Sequence, residues 1–228
     1  MVYDTKTNNK VHVIEKDNIW ILDNMFSEDE CKKFIEESKQ LGYSDAPITT
    51  GPRTSRMMKD VRNNTRAMTD NKNYASILYE RIKDYLPKKA SDLSYKVVSE
   101  LQSQGYELSG LNERIRFYKY EANEYFAPHY DGCFRRNQDN IKIEGRRFDC
   151  YEQSFITVLL YLNDVKSGGE TNFLNPATAD IRYGVKPKTG QVLLFVHNNY
   201  HEGAILTDPK EQKYVMRTDV MYRKLVER

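Results

Sequence analysis

Cysteine is scarce in this chain of 228 residues. The three present, Cys31, Cys133 and Cys150, are odd in number and widely spaced, which argues against a secreted disulfide scaffold and for a reducing compartment. The cytoplasm is the expected location. Long apolar runs are missing too. No stretch approaches the roughly 18 residues of a membrane span, and the opening "MVYDTKTNNKVHVIEKD" has no signal-peptide apolar core, so no membrane partner is expected. An excess of either charge is also absent. With 35 basic and 33 acidic residues the net charge is +2, and nothing in that balance points to nucleic acid. There is no internal repeat and no low-complexity tract. What remains is an ordinary globular composition, 39% hydrophobic with 17 Tyr, in a chain long enough for one well-buried domain. Residues 1–228 are read as that domain, with 1–110 as helix-containing support and 111–228 as the core.

The first half mixes strands and helices. "NIWILDN" reads as a short buried strand. "SEDECKKFIEESKQLG" reads as a helix opened by a capping box of Ser27 and Glu30 and stopped by Gly42. "DNKNYASILYERIKDYLP" puts Tyr74, Ile77, Leu78 and Ile82 on one helical face and ends at Pro87. Between them "TTGPRTSRMMKDVRNNTRAM" reads as loop or edge strand. After residue 110, "ERIRFYKYEA", "SFITVLLYLND", "GQVLLFVHN" and "KYVMRTDVMYR" are rich in β-branched and aromatic residues, and turn signals separate them. The pattern predicts a mainly β fold with some α, a β-sandwich or jelly roll braced by N-terminal helices. Residues 132–153 read as a long charged connection, functional or disordered.

Chemistry concentrates at "FAPHYDG". His129 and Asp131 are two apart, so on a strand both point to one side and can reach one ion. A non-haem Fe(II) site needs two imidazoles and a carboxylate on one face. Three other histidines exist. His12 lies in a charged segment and reads as a surface residue. His197 and His201 are four apart, which on a helix would suggest a zinc pair, but Asn198 stands where the helical zinc signature has Glu and the flanks read as strand and turn. One of the two would then be the ligand and the other its neighbour.

"YEANEYFAPHYDG", "FITVLLYLNDVKSGGETNFL", "PKTGQVLLFVHNNYHEG" and "KYVMRTDVMYR" come in the order and at about the spacing of the 2-oxoglutarate- and Fe(II)-dependent dioxygenases. The chain most resembles their prolyl 4-hydroxylase-like branch, over residues 113–226. The resemblance implies a double-stranded β-helix (jelly-roll) core, with iron held by His129, Asp131 and His201 as catalytic residues; His197 then packs behind them. It implies Fe(II), 2-oxoglutarate and O2, and leaves ascorbate open as an accessory. It assigns the far carboxylate of 2-oxoglutarate to a basic residue after the distal histidine. Lys213 falls there, and Arg217 follows on the same face of the strand. A guanidinium can grip a carboxylate in bidentate fashion where an ammonium acts as a point charge, so the two rank nearly level. Tyr161 falls on the helper tyrosine, Tyr120 on a second pocket tyrosine, and Thr171 in the pocket lining.

The reaction so implied is hydroxylation of a C–H bond, releasing succinate and CO2, on a prolyl or other amino-acid residue of a protein or peptide. A free amino acid or other small molecule is the alternative, and a non-catalytic jelly-roll binding protein the alternative of another class. Segment 132–153 is expected to act as a mobile lid, its four arginines Arg135, Arg136, Arg146 and Arg147 solvated. Arg114 and Arg116 lie on a core strand, where one is expected to point inward. The oligomeric state is not readable.

Overall fold

The computed structural model describes residues 10–51, 54–94 and 98–228. The first nine residues, read above for a signal peptide, and residues 52–53 of the polar segment between the helices lie outside them. Strands β1 (Lys10–Glu15) and β2 (Ile19–Asp23) form a hairpin, and α1 (Glu28–Leu41) follows. The expected capping box is formed: the backbone N–H of Glu30 donates to Ser27 Oγ, and that of Ser27 donates to the Glu30 carboxylate. Short strands β3 (Ser44–Asp45), β4 (Ile48–Gly51) and β5 (Thr54–Arg56) precede β6 (Thr65–Asp70) and α2 (Lys72–Ile82). A single turn of helix, α3 (Glu100–Ser103), leads to β7 (Glu107–Leu111), β8 (Arg114–Tyr120), β9 (Phe126–His129), β10 (Arg135–Ile143) and β11 (Arg146–Tyr161). The chain closes with β12 (Thr171–Leu174), β13 (Ile181–Val185), β14 (Val192–Val196), β15 (His201–Gly203) and β16 (Lys213–Glu227).

A large antiparallel sheet runs β1-β2-β14-β11-β16-β8-β6-β3, and a smaller one runs β13-β12-β15-β9. The apolar runs follow from burial on both faces of the large sheet. In β14 the side chains of Val192, Leu194 and Val196 join Ile156, Val158 and Leu160 of β11 and Ile115 and Phe117 of β8 in a core shared with α1 (Cys31, Phe34) and α2 (Ala75, Leu78, Ile82). The alternate residues, Leu193, Phe195, Tyr161, Val215, Tyr118 and Tyr120, face the other way and pack with Phe173 and Val185 of the small sheet. This is the expected jelly roll, and both long helices cover its outer face. Lys213, Val215, Arg217 and Asp219 share the inner parity of β16. A β-bulge in β11 between Ser154 and Ile156 shifts that strand's parity, so Ser154 and Thr157, three apart, both reach the inner side.

The reading of 132–153 as an unstructured connection is corrected. Arg135–Ile143 and Arg146–Tyr161 pair as an antiparallel hairpin, closed by Glu144 (φ 48°) and Gly145 (φ 82°). Two successive residues with positive φ make the turn type that suits hairpin twist. The charge that argued for loop is spent on the strands: Arg136 pairs with both Glu113 and Glu152, Arg135 donates to Gln153, and Arg146 lies 3.6 Å from Glu227.

Candidate metal centre and its cavity

β9 and β15 are neighbours in the small sheet, and their register sets His129 directly opposite His201. Asp131 follows β9, its backbone N–H donating to the carbonyl of His197. The three side chains therefore converge. His129 Nε2 lies 3.7 Å from Asp131 Oδ1, His201 Nε2 lies 3.8 Å from Asp131 Oδ2, and the potential donor atoms all fall within 4.8 Å of one another.

The tautomers are set by the backbone. His129 Nδ1 is 2.8 Å from the carbonyl of Ala127 and His201 Nδ1 is 2.9 Å from that of Asn199, so each Nδ1 carries the hydrogen and each Nε2 presents a lone pair. The Asn199 carbonyl is itself held in place, because the buried amides of Asn199 and Asn18 bond each other at 2.6 Å. Burial and the neighbouring His129 push the His201 pKa down to about 3, so its imidazole stays neutral. Burial alone would raise the Asp131 pKa, but the Arg217 charge and the histidines outweigh it and hold the carboxyl well below the usual range. Two imidazoles and one ionised carboxylate in this closeness fit a single divalent cation such as Fe(II), whose usual protein face is two histidines and one carboxylate.

Behind the triad runs a directed chain. Thr157 Oγ1 donates to Asp131 Oδ2 at 2.6 Å, so at 2.9 Å it must accept from His197 Nδ1; His197 Nε2 then accepts from Ser154 Oγ at 2.8 Å. The buried His197 thus packs beside the site, hydrogen-bonded to side chains at both nitrogens. Its Nε2 is committed to Ser154. His12 is exposed and bonds Asp23.

A cavity is lined by Tyr118, Tyr120, Phe126, His129, Asp131, Leu159, His201, Gly203, Lys213, Val215 and Arg217. Its two cations differ sharply. The Lys213 ammonium is buried, donates to the Gly169 carbonyl at 2.6 Å, and sits 4.8 Å from the Tyr120 ring and 5.9 Å from the Tyr161 ring. No carboxylate lies within 4 Å of it among the described residues, and burial brings its pKa down to about 8. Arg217 is paired twice, at 2.8 Å with Asp131 and 3.4 Å with Asp219. Tyr161 and Thr171 lie outside the cavity wall. They are buried and bonded to each other, Tyr161 Oη donating to Thr171 Oγ1 at 2.8 Å. Gly168 and Gly169 make the turn behind Lys213. At Gly168 (φ +75°) an added Cβ would lie 2.1 Å from the Ile205 carbonyl oxygen, which excludes any side chain.

Residues 115–218 match the family model described as the 2OG-Fe(II) oxygenase superfamily. Just under half of the chain thus carries the pattern of that superfamily. Among curated proteins the chain is 30% identical over 133 residues to "Probable prolyl 4-hydroxylase 7" of Arabidopsis thaliana, a match covering 53% of this chain and 39% of that one. The chain thus spans about two-fifths of that relative's length. Among solved structures, a viral collagen prolyl hydroxylase of Paramecium bursaria Chlorella virus-1, determined as its 2OG complex, superposes with TM-score 0.54 at 15% identity over 90% of this chain and 96% of that one. A Trichoplax adhaerens prolyl hydroxylase in complex with a hypoxia-inducible-factor peptide fragment gives TM-score 0.52 at 17% identity over 90% and 83%. At such identities the likeness establishes the fold.

Several residues around the candidate site carried little or no sequence signal. Arg62 comes from the irregular segment between β5 and β6, reaching the site through an isolated bridge to Phe126. Thr157 is a polar residue inside the apolar run "SFITVLLY", and that mismatch was its only cue. Tyr118 was hidden among 17 tyrosines.

Proposed function

We propose that this protein is an Fe(II)- and 2-oxoglutarate-dependent dioxygenase that hydroxylates a C–H bond of a prolyl or other amino-acid residue in a peptide or protein, releasing succinate and CO2. One observation carries the reading. The lone pairs of His129 and His201 and the carboxylate of Asp131 converge in a cavity that also holds Lys213, a buried cation with no contacting carboxylate. That is the outline of a metal site joined to a site for an acid.

His129, Asp131 and His201 would hold the metal, which together with 2-oxoglutarate and O2 supplies the oxidising chemistry. Lys213 supplies the charge for the far carboxylate of 2-oxoglutarate, with the Tyr120 ring beside its ammonium. Leu159, Val215 and Phe126 give the cavity apolar walls that limit water around the reacting groups. Arg217 and Thr157 grip the Asp131 carboxylate from two sides and fix its direction. The peptide reading is supported by the named prolyl hydroxylase relatives, and by the structural neighbour that holds a peptide. Ascorbate as accessory reductant belongs to the same proposal. So does a cytoplasmic setting, supported by three free cysteines; no helix is long and apolar enough to cross a membrane among the described residues.

The test is oxygen-dependent succinate formation from 2-oxoglutarate on prolyl peptides, run beside free amino acids. His129→Ala, Asp131→Ala and His201→Ala should each abolish turnover and weaken Mn(II) binding, read by calorimetry, at least a hundredfold. His197→Ala should keep partial activity, because its ring acts only through Thr157. Activity surviving in His201→Ala but not in His197→Ala would reverse the assignment. A chain that bound neither Mn(II) nor 2-oxoglutarate would be a jelly-roll binding protein instead.

A further inference from the structure

The inner face of the large sheet carries a second group of cations that the metal and 2-oxoglutarate do not use. In the register of β6, β8 and β16, Arg66 pairs with Tyr118 and Tyr118 with Val215, while Arg116 pairs with Arg217 one step along. The Tyr118 hydroxyl lies among four guanidinium groups. Burial would raise its pKa, but the charges of Arg62, Arg217, Arg116 and Arg66 bring it down to about 8. Two carboxylates answer this group, Asp131 on Arg217 and Asp219 on both Arg217 and Arg116. Arg62 and Arg66 have no carboxylate within 4 Å among the described residues.

Arg62 is the sharper case. It is 5% exposed, yet one of its terminal nitrogens, Nη2, has no hydrogen-bond partner among the described residues. Its Nε donates to Asn64 at 2.7 Å, and its guanidinium lies 4.4 Å from the centres of both the Tyr118 and Phe126 rings. Both rings line the cavity, and Phe126 stacks on the metal-site imidazole of His129 at 3.6 Å. An unsatisfied guanidinium donor buried this deeply is costly, because it has given up its water without gaining an acceptor. Such a cost is offset when an incoming group supplies the acceptor. Arg66, by contrast, is only partly buried, so the group is reachable from solvent.

We propose that Arg62 and Arg66, gathered around Tyr118 beside the metal triad, form the binding site for a carboxylate carried by the substrate near the carbon that is oxidised. The free Nη2 of Arg62 and the partly exposed guanidinium of Arg66 can donate to the two oxygens of a planar carboxylate. Tyr118 pairs with Val215, midway between Lys213 and Arg217 on β16, so the site adjoins the one assigned to 2-oxoglutarate and differs from it in resting on arginines from β6 and the segment before it. The proposal rests on the hydroxylase reading for the word substrate, but the carboxylate site itself does not.

The experiment separates the two. In a Lys213→Met background, which removes the deep cation, the metal-free full chain is titrated with propionate and with propionamide, read by calorimetry and by the shift in melting temperature. Propionate should bind and stabilise and propionamide should not. Adding Arg66→Gln or Arg62→Gln should weaken propionate by tenfold or more. If Arg62→Gln fails to fold, Arg66→Gln, at a partly exposed position, decides alone. Equal responses to the two probes, or a propionate affinity untouched by Arg66→Gln, overturn the proposal even if 2-oxoglutarate turnover is intact. Failure of the parent chain to bind Mn(II) and 2-oxoglutarate, with the propionate response of the variant retained, would overturn the hydroxylase reading alone. Capped tripeptides Ala-Asp-Ala and Ala-Asn-Ala, beside free L-aspartate, then identify the source. Tighter binding of the Asp peptide points to an acidic residue within a chain, and tighter binding of the free acid points to a small molecule. No preference for Asp over Asn in either form counts against the site.

Discussion

Lys213 and Arg217 share one face of one strand, four residues apart, and both line the same cavity, Lys213 buried and Arg217 mostly so. Yet their surroundings have opposite effects on their charge. Lys213 has a carbonyl and two aromatic rings for company, and burial lowers its pKa to about 8. Arg217 has two carboxylates, and Asp131, Tyr118 and Asp219 outweigh its desolvation to raise its pKa above the ordinary value. A cation that already has its counter-charge is part of the scaffold. One that lacks it is set up for a ligand, because a buried unpaired charge is costly until an anion arrives. The near-level ranking of the two from sequence thus gives way to a proposed division of labour: Arg217 is engaged with Asp131, which leaves Lys213 as the candidate for the co-substrate carboxylate.

The largest effect expected from this contrast is on stability. Arg217→Ala would strip the counter-charge from Asp131 and half of that from Asp219, and breaking a buried pair costs about 3–5 kcal/mol. Urea denaturation of the metal-free chain should show a loss of that order. Saturating Mn(II) should restore part of it, since the ion replaces the guanidinium as counter-charge to Asp131 and binds only the folded chain. A variant as stable as the parent would mean that Arg217 is not structural, and the contrast would collapse.

Lys213→Met reverses the pattern. Removing an unpaired buried charge should leave stability unchanged or improved, while the 2-oxoglutarate KM rises about tenfold to a hundredfold for the loss of one charge-assisted contact. A KM unchanged in Lys213→Met but raised in Arg217→Ala would exchange the two roles.

The sequence carried the elements of this contrast but not the contrast itself. His129, Asp131 and His201 were legible because their chemistry is rare and their spacing local, and the parity of β16 placed Lys213 and Arg217 on one side. The strands of the jelly roll were legible for a similar reason, as continuous apolar runs between turn signals. The Arg217–Asp131 pair was not, because it joins distant parts of the chain and depends on the registers of two sheets. Nor was the β10–β11 hairpin, whose polar residues satisfy each other across strands and leave no apolar alternation to read. Arg62 reaches Phe126 from a segment without periodicity, and nothing local marks it.

The two cations should also part in their pH dependence. The folded pKa of Lys213, about 8, lies below its ordinary 10.5. Between those values the unfolded chain holds more protons, so the contribution of Lys213 to stability rises with pH across that window. Affinity for 2-oxoglutarate should move the other way, full below about pH 8 and falling above it as the ammonium loses its proton. In Lys213→Arg, with a guanidinium charged throughout, the decline above pH 8 should vanish. Calorimetric titration of Mn(II)-loaded protein from pH 7 to 9.5 checks this, and an identical decline in both proteins would assign it to another group.

The smallest effect concerns what helps Lys213. The Tyr161 hydroxyl spends its hydrogen on Thr171, and neither residue lines the cavity. If this pair only supports the wall behind Lys213, Tyr161→Phe should remove one neutral hydrogen bond, worth about 1 kcal/mol, and lower stability by that amount with the 2-oxoglutarate KM nearly unchanged. If instead the hydroxyls turn toward the bound carboxylate, the pair would break on binding and the KM would rise about fivefold, with stability of the free protein falling as well. The Tyr161 pKa, pushed up by burial, keeps the hydroxyl protonated in either case, so it can donate throughout the working range. Thr171→Val separates the two outcomes, because it removes the acceptor without disturbing the ring beside Lys213. A KM raised equally by Tyr161→Phe and Thr171→Val would place both hydroxyls on the co-substrate. A KM flat in both would leave Lys213 as the sole polar anchor at the deep end, the sharpest form of its contrast with Arg217.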